Sequence, residues 1–286
     1  MSWRTVVISH TAKLDYQIGY LVVRGQETIK IHLSEIGILV VESTAVSMTA
    51  YLLSELVKKK IKVIFCDEKR NPSSELISYY GSHDTSVKIR KQMEWRREEK
   101  ATLWTEIVSE KIRKQAELLE EYGKTEAELL YQYINEIELG DVTNREGHAA
   151  KVYFNSLFGK GFSRDDMNSV NAALNYGYGI LLSNFNKEIV ADGYLTQLGI
   201  KHINEYNPFN LTCDLMEPFR VLVDEIVYNN IEKTFDKDFK LLLVDVLNRK
   251  VMYCGREYYL TNAIQIYLDK IFDAIEHESF DTSILY

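Results

Sequence analysis

Only three prolines punctuate the 286-residue chain, at positions 72, 208 and 218, and the long interval between the first two contains none. Proline removes a backbone donor and clashes with the preceding helical turn, so its absence lets helices run. The interval is filled accordingly. "KIRKQMEWRREEKATLWTEIVSEKIRKQAELLEEYG" and "EAELLYQYINEIELG" set strong helix formers around apolar residues at helical spacing. Beyond Pro218, "FRVLVDEIVYNNIEKTF", "DFKLLLVDVLNRKV" and "LTNAIQIYLDKIFDAIEH" continue the pattern.

Upstream of Pro72 the character is different. "TVVIS", "QIGYLVVRG", "TIKIHL" and "GILVVES" are short runs rich in Val, Ile, Thr and Tyr, separated by turn formers. One amphipathic stretch interrupts them: Met48, Leu52, Leu53, Leu56 and Val57 recur at helical spacing, with Ser47 as the N-cap. The expectation is an α+β chain. A small β-rich domain over residues 1–72 carries one helix at about 47–60; a linker over 73–88 leads to a larger all-α domain over 89–286.

Composition excludes several classes. No apolar run approaches the roughly 20 residues needed to span a bilayer, and "MSWRTVVISH" is not a basic leader with an apolar core. Cys66, Cys213 and Cys254 are far apart and form no C-x-x-C pair, which reads as buried thiols in a reducing cytoplasm. The net charge of −8 argues against a nucleic-acid partner only as a sum. Acid is concentrated in stretches such as "AELLEEYGKTEAELL", whereas Lys88 to Lys114 holds nine Lys/Arg against five Glu, with Trp95 and Trp104 interleaved.

Among residues able to carry chemistry, no G-x-S-x-G elbow or G-x-x-x-x-G-K-[ST] loop occurs, and His10, His32, His83 and His277 lack acidic partners at suggestive spacing. Glu146 is more informative. In "NREGHAAKVYFNSLFG" it shares a helical stripe with Ala149, Ala150 and Tyr153. A carboxylate on such a stripe is costly unless paired or bound to a cation, although a first-turn acid behind an Asn144 cap also accounts for it. In "GIKHINEYNPFNLTCDLMEPFR", Gly199 suggests a helix end just before His202, and Asp214 and Glu217 follow. Asp-x-x-Glu fits a capping box; one imidazole with two or three carboxylates also fits Mg²⁺ or Mn²⁺ better than Zn²⁺. Pro218 biases Glu217 away from an ideal helical conformation.

These same segments resemble the CRISPR-associated adaptation integrases, the Cas-one family, over essentially the whole chain. "EGHAAKVYF" is similar to the family's metal-site glutamate segment, "NAALNYGYGIL" to its Asn-rich Gly-Tyr helix, and "GIKH…CDLMEPFR" to its His-loop-acid signature. The wording is most similar to members that accompany Cas9-type systems. The resemblance implies a β-rich domain followed by a helical catalytic domain. It implies Glu146, His202 and Glu217 as catalytic metal ligands, with Asp214 joining or supporting them, and Mg²⁺ or Mn²⁺ as cofactor. It also implies insertion of short double-stranded DNA fragments into CRISPR repeat DNA, by attack of a 3′-hydroxyl on a phosphodiester. The implied partners are the small Cas-two protein, a second copy in a homodimer within a larger integration complex, and other proteins of the same CRISPR system.

On that reading DNA follows a local basic path, with Arg90, Arg96, Arg97, Arg145, Lys151 and Arg220 as candidates and Tyr153 behind the carboxylates. Two other functions stay open on sequence: a metal-dependent repair nuclease, and a non-catalytic DNA-bound assembly protein whose acids only cap helices.

Overall fold

The computed structural model describes residues 4–78 and 82–277. Residues 79–81 of the expected linker and 278–286 of the helical region lie outside them. The chain forms two compact units. One runs to Gly81 and includes Leu247–Arg249; the other comprises Ser82–Val246 and the chain from Lys250.

The first unit is built on two four-stranded sheets. Strands β1 (Arg4–Ile8), β2 (Ala12–Gln17), β3 (Tyr20–Arg24), β4 (Thr28–His32), β5 (Ile36–Val41) and β6 (Val46–Met48) precede helix α1 (Ala50–Lys58); β7 (Lys62–Cys66) and β8 (Pro72–Leu76) follow it. The orders are β4-β3-β2-β6 and β1-β5-β7-β8. β5 pairs in parallel with both β1 and β7. Its continuous apolar run "IGILVV" suits a strand covered on both faces. The β2–β3 hairpin turns on Ile18 and Gly19, both at positive φ, the twist a two-residue connection requires. Leu14, Leu21, Leu33, Ile36, Leu39, Leu52, Leu56 and Val63 fill the core.

Two local expectations are corrected here. Helix α1 starts at Ala50 rather than near residue 47, because Val46–Met48 pairs with β2 and the Thr49 hydroxyl, not Ser47, accepts from the Leu52 N–H. The 73–88 stretch is not all connection. Pro72–Leu76 pairs antiparallel with β7, with Pro72 on an outer strand where its missing N–H is tolerated.

The second unit contains α2 (Thr85–Glu94), α3 (Arg97–Glu121), α4 (Ala127–Asn135), α5 (Arg145–Phe158), α6 (Ser169–Ala191), α7 (Asn210–Leu215), α8 (Val221–Asn229), α9 (Lys237–Val244) and α10 (Leu260–His277). A short 3₁₀ turn, Glu217–Phe219, joins α7 to α8. The unit is not entirely helical. β9 (Lys250–Tyr253) and β10 (Arg256–Tyr259) form a hairpin through Cys254 and Gly255, both at positive φ. Cys254 is therefore exposed; Cys66 is buried and Cys213 half-buried, and none is in a disulfide. No helix of the described residues is long and apolar enough to cross a membrane.

Helix α3 is the axis of this unit. Its buried stripe, including Leu103, Trp104, Ile107, Val108, Ile112, Ala116 and Leu119, packs against α5, α8 and the 3₁₀ turn. Trp95 and Trp104 are core residues, so the aromatics interleaved with the basic run are not free for bases. Helix α6 meets α8 at Gly177. A Cβ there falls 2.4 Å from Val223 Cγ1 and 3.2 Å from Leu243 Cδ2. Replacing Gly177 by Ala therefore overpacks the crossing. The gain in helix propensity, about 1 kcal/mol, is outweighed by a strain of about 1–3 kcal/mol. Urea unfolding is expected to show a lowered midpoint for Gly177→Ala, with partial recovery when Val223→Ala is added.

Candidate active site

Helix α5 begins beneath two caps. Asp141, buried and at φ +50°, accepts from the N–H groups of Arg145 at 2.7 Å and Glu146 at 3.1 Å. The Asn144 side chain accepts from the Gly147 N–H at 3.3 Å. The Glu146 carboxylate is thus not needed at the helix end. It reaches α3 instead, where Lys111 Nζ lies 2.6 Å from Glu146 Oε1.

The same ammonium lies 2.6 Å from Glu217 Oε2. Glu217 sits at the head of the 3₁₀ turn, where Pro218 occupies an early position and no side chain caps the turn. Its other oxygen, Oε1, accepts from Arg220 Nε at 2.8 Å. Burial alone pushes the Glu217 carboxyl up, but Arg220 and Lys111 outweigh it and hold the group at about 2. Oε2 is buried against the Lys111 ammonium, which also donates to Glu146 Oε1.

Asp214 is fully buried and does not cap the helix it belongs to. Its carboxylate faces the preceding loop, accepting from the N–H groups of Ile200 at 2.7 Å, Lys201 at 2.9 Å and His202 at 3.2 Å, and it pairs with His202 Nδ1. The capping-box reading of Asp214 and Glu217 therefore fails: one carboxylate is committed to backbone donors of a distant loop, the other to side-chain cations. Gly199 does not end a helix either, since α6 stops at Ala191. It is there for space. A Cβ would fall 2.3 Å from the His202 carbonyl oxygen and 2.8 Å from Asp214 Oδ2.

His202 is half-exposed, with the edge of its ring against Trp104, centroids 5.9 Å apart. Its pKa is raised, first by the hydrogen bond to Asp214 and then, against burial, by the charges of Asp214, Glu217 and Glu146. It also lines a cleft of about 940 Å³ with Gln92, Lys100, Leu198, Tyr206 and Asn210; Glu146 and Glu217 are not in that lining. Among the described residues no three His, Cys, Asp or Glu side chains are gathered into a ready-made ligand set. Glu146 and Glu217 converge, with Lys111 between them, and both act on His202 through their charge.

The remaining predicted residues separate. Tyr153 is buried and donates to Asp224 Oδ2 at 2.9 Å rather than to Glu146 or Glu217. Tyr178 donates to the other oxygen of Asp224, and Arg220 lies over the Tyr178 ring at 4.7 Å. Burial raises the Asp224 carboxyl to about 6 although both hydroxyls pull it down. Arg90, Arg97 and Lys151 face solvent. Arg96 holds Glu99 at the start of α3, Arg145 pairs with Glu136 at 2.9 Å, and Arg220 is spent on Glu217.

Sequence reasoning missed Lys111, Asp141 and Asp224. Lys111 alone left a signal, a cation on the face of α3 where the buried Ile107, Val108 and Gln115 stand at i−4, i−3 and i+4.

A family model described as "CRISPR associated protein Cas1" matches residues 5–246. The CRISPR-associated endonuclease Cas1 of Neisseria meningitidis serogroup C (strain 8013) is 35% identical over 235 residues, covering 82% of this chain and 77% of that protein. Among solved structures, a casposase bound to integration product aligns with TM-score 0.78 and 18% identity over 99% of this chain and 93% of that one. A chain of a Cas6-RT-Cas1--Cas2 complex aligns with TM-score 0.74 and 16% identity over 99% of this chain and 36% of its own. These structural likenesses show the same fold, strand-rich and then helical.

Because Asp214 stabilises the imidazolium, that contribution is present below the ordinary histidine pKa and is lost as pH rises through the raised folded value. Asp214→Asn is expected to lower the His202 pKa in a ring-proton NMR titration. The variant also destabilises the fold by about 1–3 kcal/mol, because an amide nitrogen replaces an acceptor facing backbone N–H groups.

Proposed function

The chain belongs to the CRISPR-associated Cas1 family, and from that premise we propose that it is a metal-dependent DNA integrase and endonuclease of CRISPR adaptation. The observation that carries this reading is the meeting of Glu146 and Glu217, from separate elements, on one cation beside an Asp-held histidine.

The donor set fits Mg²⁺ or Mn²⁺. Both carboxylates are hard oxygen donors, and one oxygen of each already faces a shared cation at 2.6 Å. Glu146, Glu217 and His202 would hold the ion. When bound, it would polarise a phosphoryl oxygen and lower the pKa of the attacking hydroxyl. The chain's own residues prepare for that. Asp214, committed to three backbone N–H groups, orients His202 rather than ligating. It accepts from Nδ1–H and so leaves Nε2 as the free ligand nitrogen, the tautomer a carboxylate–histidine pair fixes. Arg220 fixes the second Glu217 oxygen, and Tyr153, Tyr178 and Asp224 brace the helices behind it.

In the reaction, the 3′-oxygen of a DNA fragment forms a bond to phosphorus as the bond to the leaving 3′-oxygen breaks, and the attacking proton ends on the leaving group. Bond count is conserved, so joining needs no external energy source. Water in place of the 3′-hydroxyl gives cleavage. The fragment, the CRISPR repeat, a Cas2 protein and a second copy of this chain are the partners this function requires.

Labelled duplex fragments offered with repeat DNA, Mg²⁺ or Mn²⁺ and the Cas2 partner test it. Fragments ending in a 3′-hydroxyl should be joined, and those ending in a 3′-deoxy sugar should not. Glu146→Ala, His202→Ala and Glu217→Ala should each reduce joining by more than about 100-fold while circular dichroism stays unchanged. Joining that survives Glu146→Ala sinks the proposal. For the basic path, every phosphate that a side chain ceases to neutralise lowers the slope of log affinity against log salt by about 0.9. Arg97→Ala and Lys151→Ala should flatten that slope in fluorescence anisotropy, each by about one phosphate's share.

A further inference from the structure

We infer that Lys111 is the resident cation of the metal-free site: its ammonium holds the Glu146–Glu217 pair assembled and must be displaced for a divalent ion to bind, so it sets the site's affinity by competition. The inference rests on the metal reading above and adds a residue to it.

Three features carry it. Lys111 Nζ is 2.6 Å from one oxygen of each carboxylate, so the ammonium stands where their negative potentials overlap most. It donates to Glu146 Oε1 and is ion-paired with Glu217 Oε2, so one compact charge bridges acids from two elements. A lysine is suited to that part: its charge is compact and its stem of four carbons can withdraw without moving the helix. Its side chain is only 11% exposed and Glu217's 6%, so Lys111 cannot be a solvent-screened surface partner. Without some cation, the buried Glu217 and the partly exposed Glu146, from different elements, would repel and part. With Lys111 in place, Arg220 covers only the far oxygen of Glu217, and the oxygens facing Nζ remain available to a stronger cation.

Charge explains the selectivity this confers. A monovalent ion that displaces the ammonium gains no charge for the exchange, whereas Mg²⁺ or Mn²⁺ adds one positive unit against two carboxylates.

The test is Mn²⁺ binding to the full-length protein without DNA, with free Mn²⁺ read by electron paramagnetic resonance and melting temperature recorded in EDTA and in MnCl₂. Lys111→Met keeps the stem and removes the charge. It should bind Mn²⁺ more tightly by about tenfold, a change of the size seen for groups just outside a ligand set, and gain more melting temperature from Mn²⁺ than the parent does. Lys111→Arg keeps the charge in a fork that grips carboxylates bidentately, and should bind Mn²⁺ more weakly. Affinity of Lys111→Met equal to or below that of the parent overturns the inference. If that variant does not fold, Lys111→Arg decides, and undiminished Mn²⁺ affinity overturns it. Glu146→Gln separates the two levels. If it binds Mn²⁺ as well as the parent, the metal reading fails and the inference fails with it; if it loses Mn²⁺ while Lys111→Met fails to tighten, only the inference fails.

Discussion

Carboxylates held inside a helical unit impose the constraint around which this site is built. Asp214, Glu217 and Asp224 are all buried, and an isolated ionised acid in such a place costs several kcal/mol. Each is accommodated differently, and the difference assigns its part. Asp214 is surrounded by backbone N–H groups and an imidazole, a set that fixes a loop. Asp224 accepts from two tyrosines and carries the raised pKa expected when donors are neutral. Glu217 is flanked by two cations and stays strongly acidic. Of the three, it alone is flanked by two side-chain cations, and an acid so balanced can exchange one cation for another.

The loop that Asp214 fixes shows how backbone geometry and chemistry are coupled. The carboxylate approaches Ile200, Lys201 and His202 so closely that position 199 has no room for a Cβ. A buried acid on α7, a glycine ahead of the histidine and the orientation of that histidine are therefore one device. Because α7 leads directly into the 3₁₀ turn, the acid that orients His202 also anchors the segment that begins with Glu217. The Asp-x-x-Glu spacing serves both ends at once, since the first acid looks back to the loop and the second forward to α3.

This dual orientation marks the limit of what the residues alone disclose. The division between strand-rich and helical sequence was legible because proline placement and β-branched runs act locally, and α3 and α4 follow from their own periodicity. The β9–β10 hairpin was not, since "KVMYCGREYY" has neither alternation nor a favoured turn dipeptide, and Cys254 takes positive φ only in the folded chain. Glu146, His202, Asp214 and Glu217 were singled out by chemistry and family likeness. Spacing could not show that Asp214 accepts from residues upstream, nor that Asp141, at positive φ, caps α5. Tyr153 was placed behind the carboxylates, but its hydroxyl serves Asp224 on α8. Lys111 was hidden among nine basic residues because charge counting ignores the side of a helix; only its place in a buried stripe distinguishes it.

The same distinction resolves the net charge of −8 for a DNA-joining function. Polyanions respond to the field where they bind, and that field is set by which charges are already neutralised. Glu146 and Glu217 without a cation would oppose an approaching phosphodiester at the place where it must lie closest. On the proposed function, Lys111 and Arg220 would cancel that repulsion before any substrate arrives, and the exposed Arg90, Arg97 and Lys151 are the residues proposed to supply attraction. On that reading an acidic protein need not repel DNA at its site, because Lys111 and Arg220 already balance the acids there.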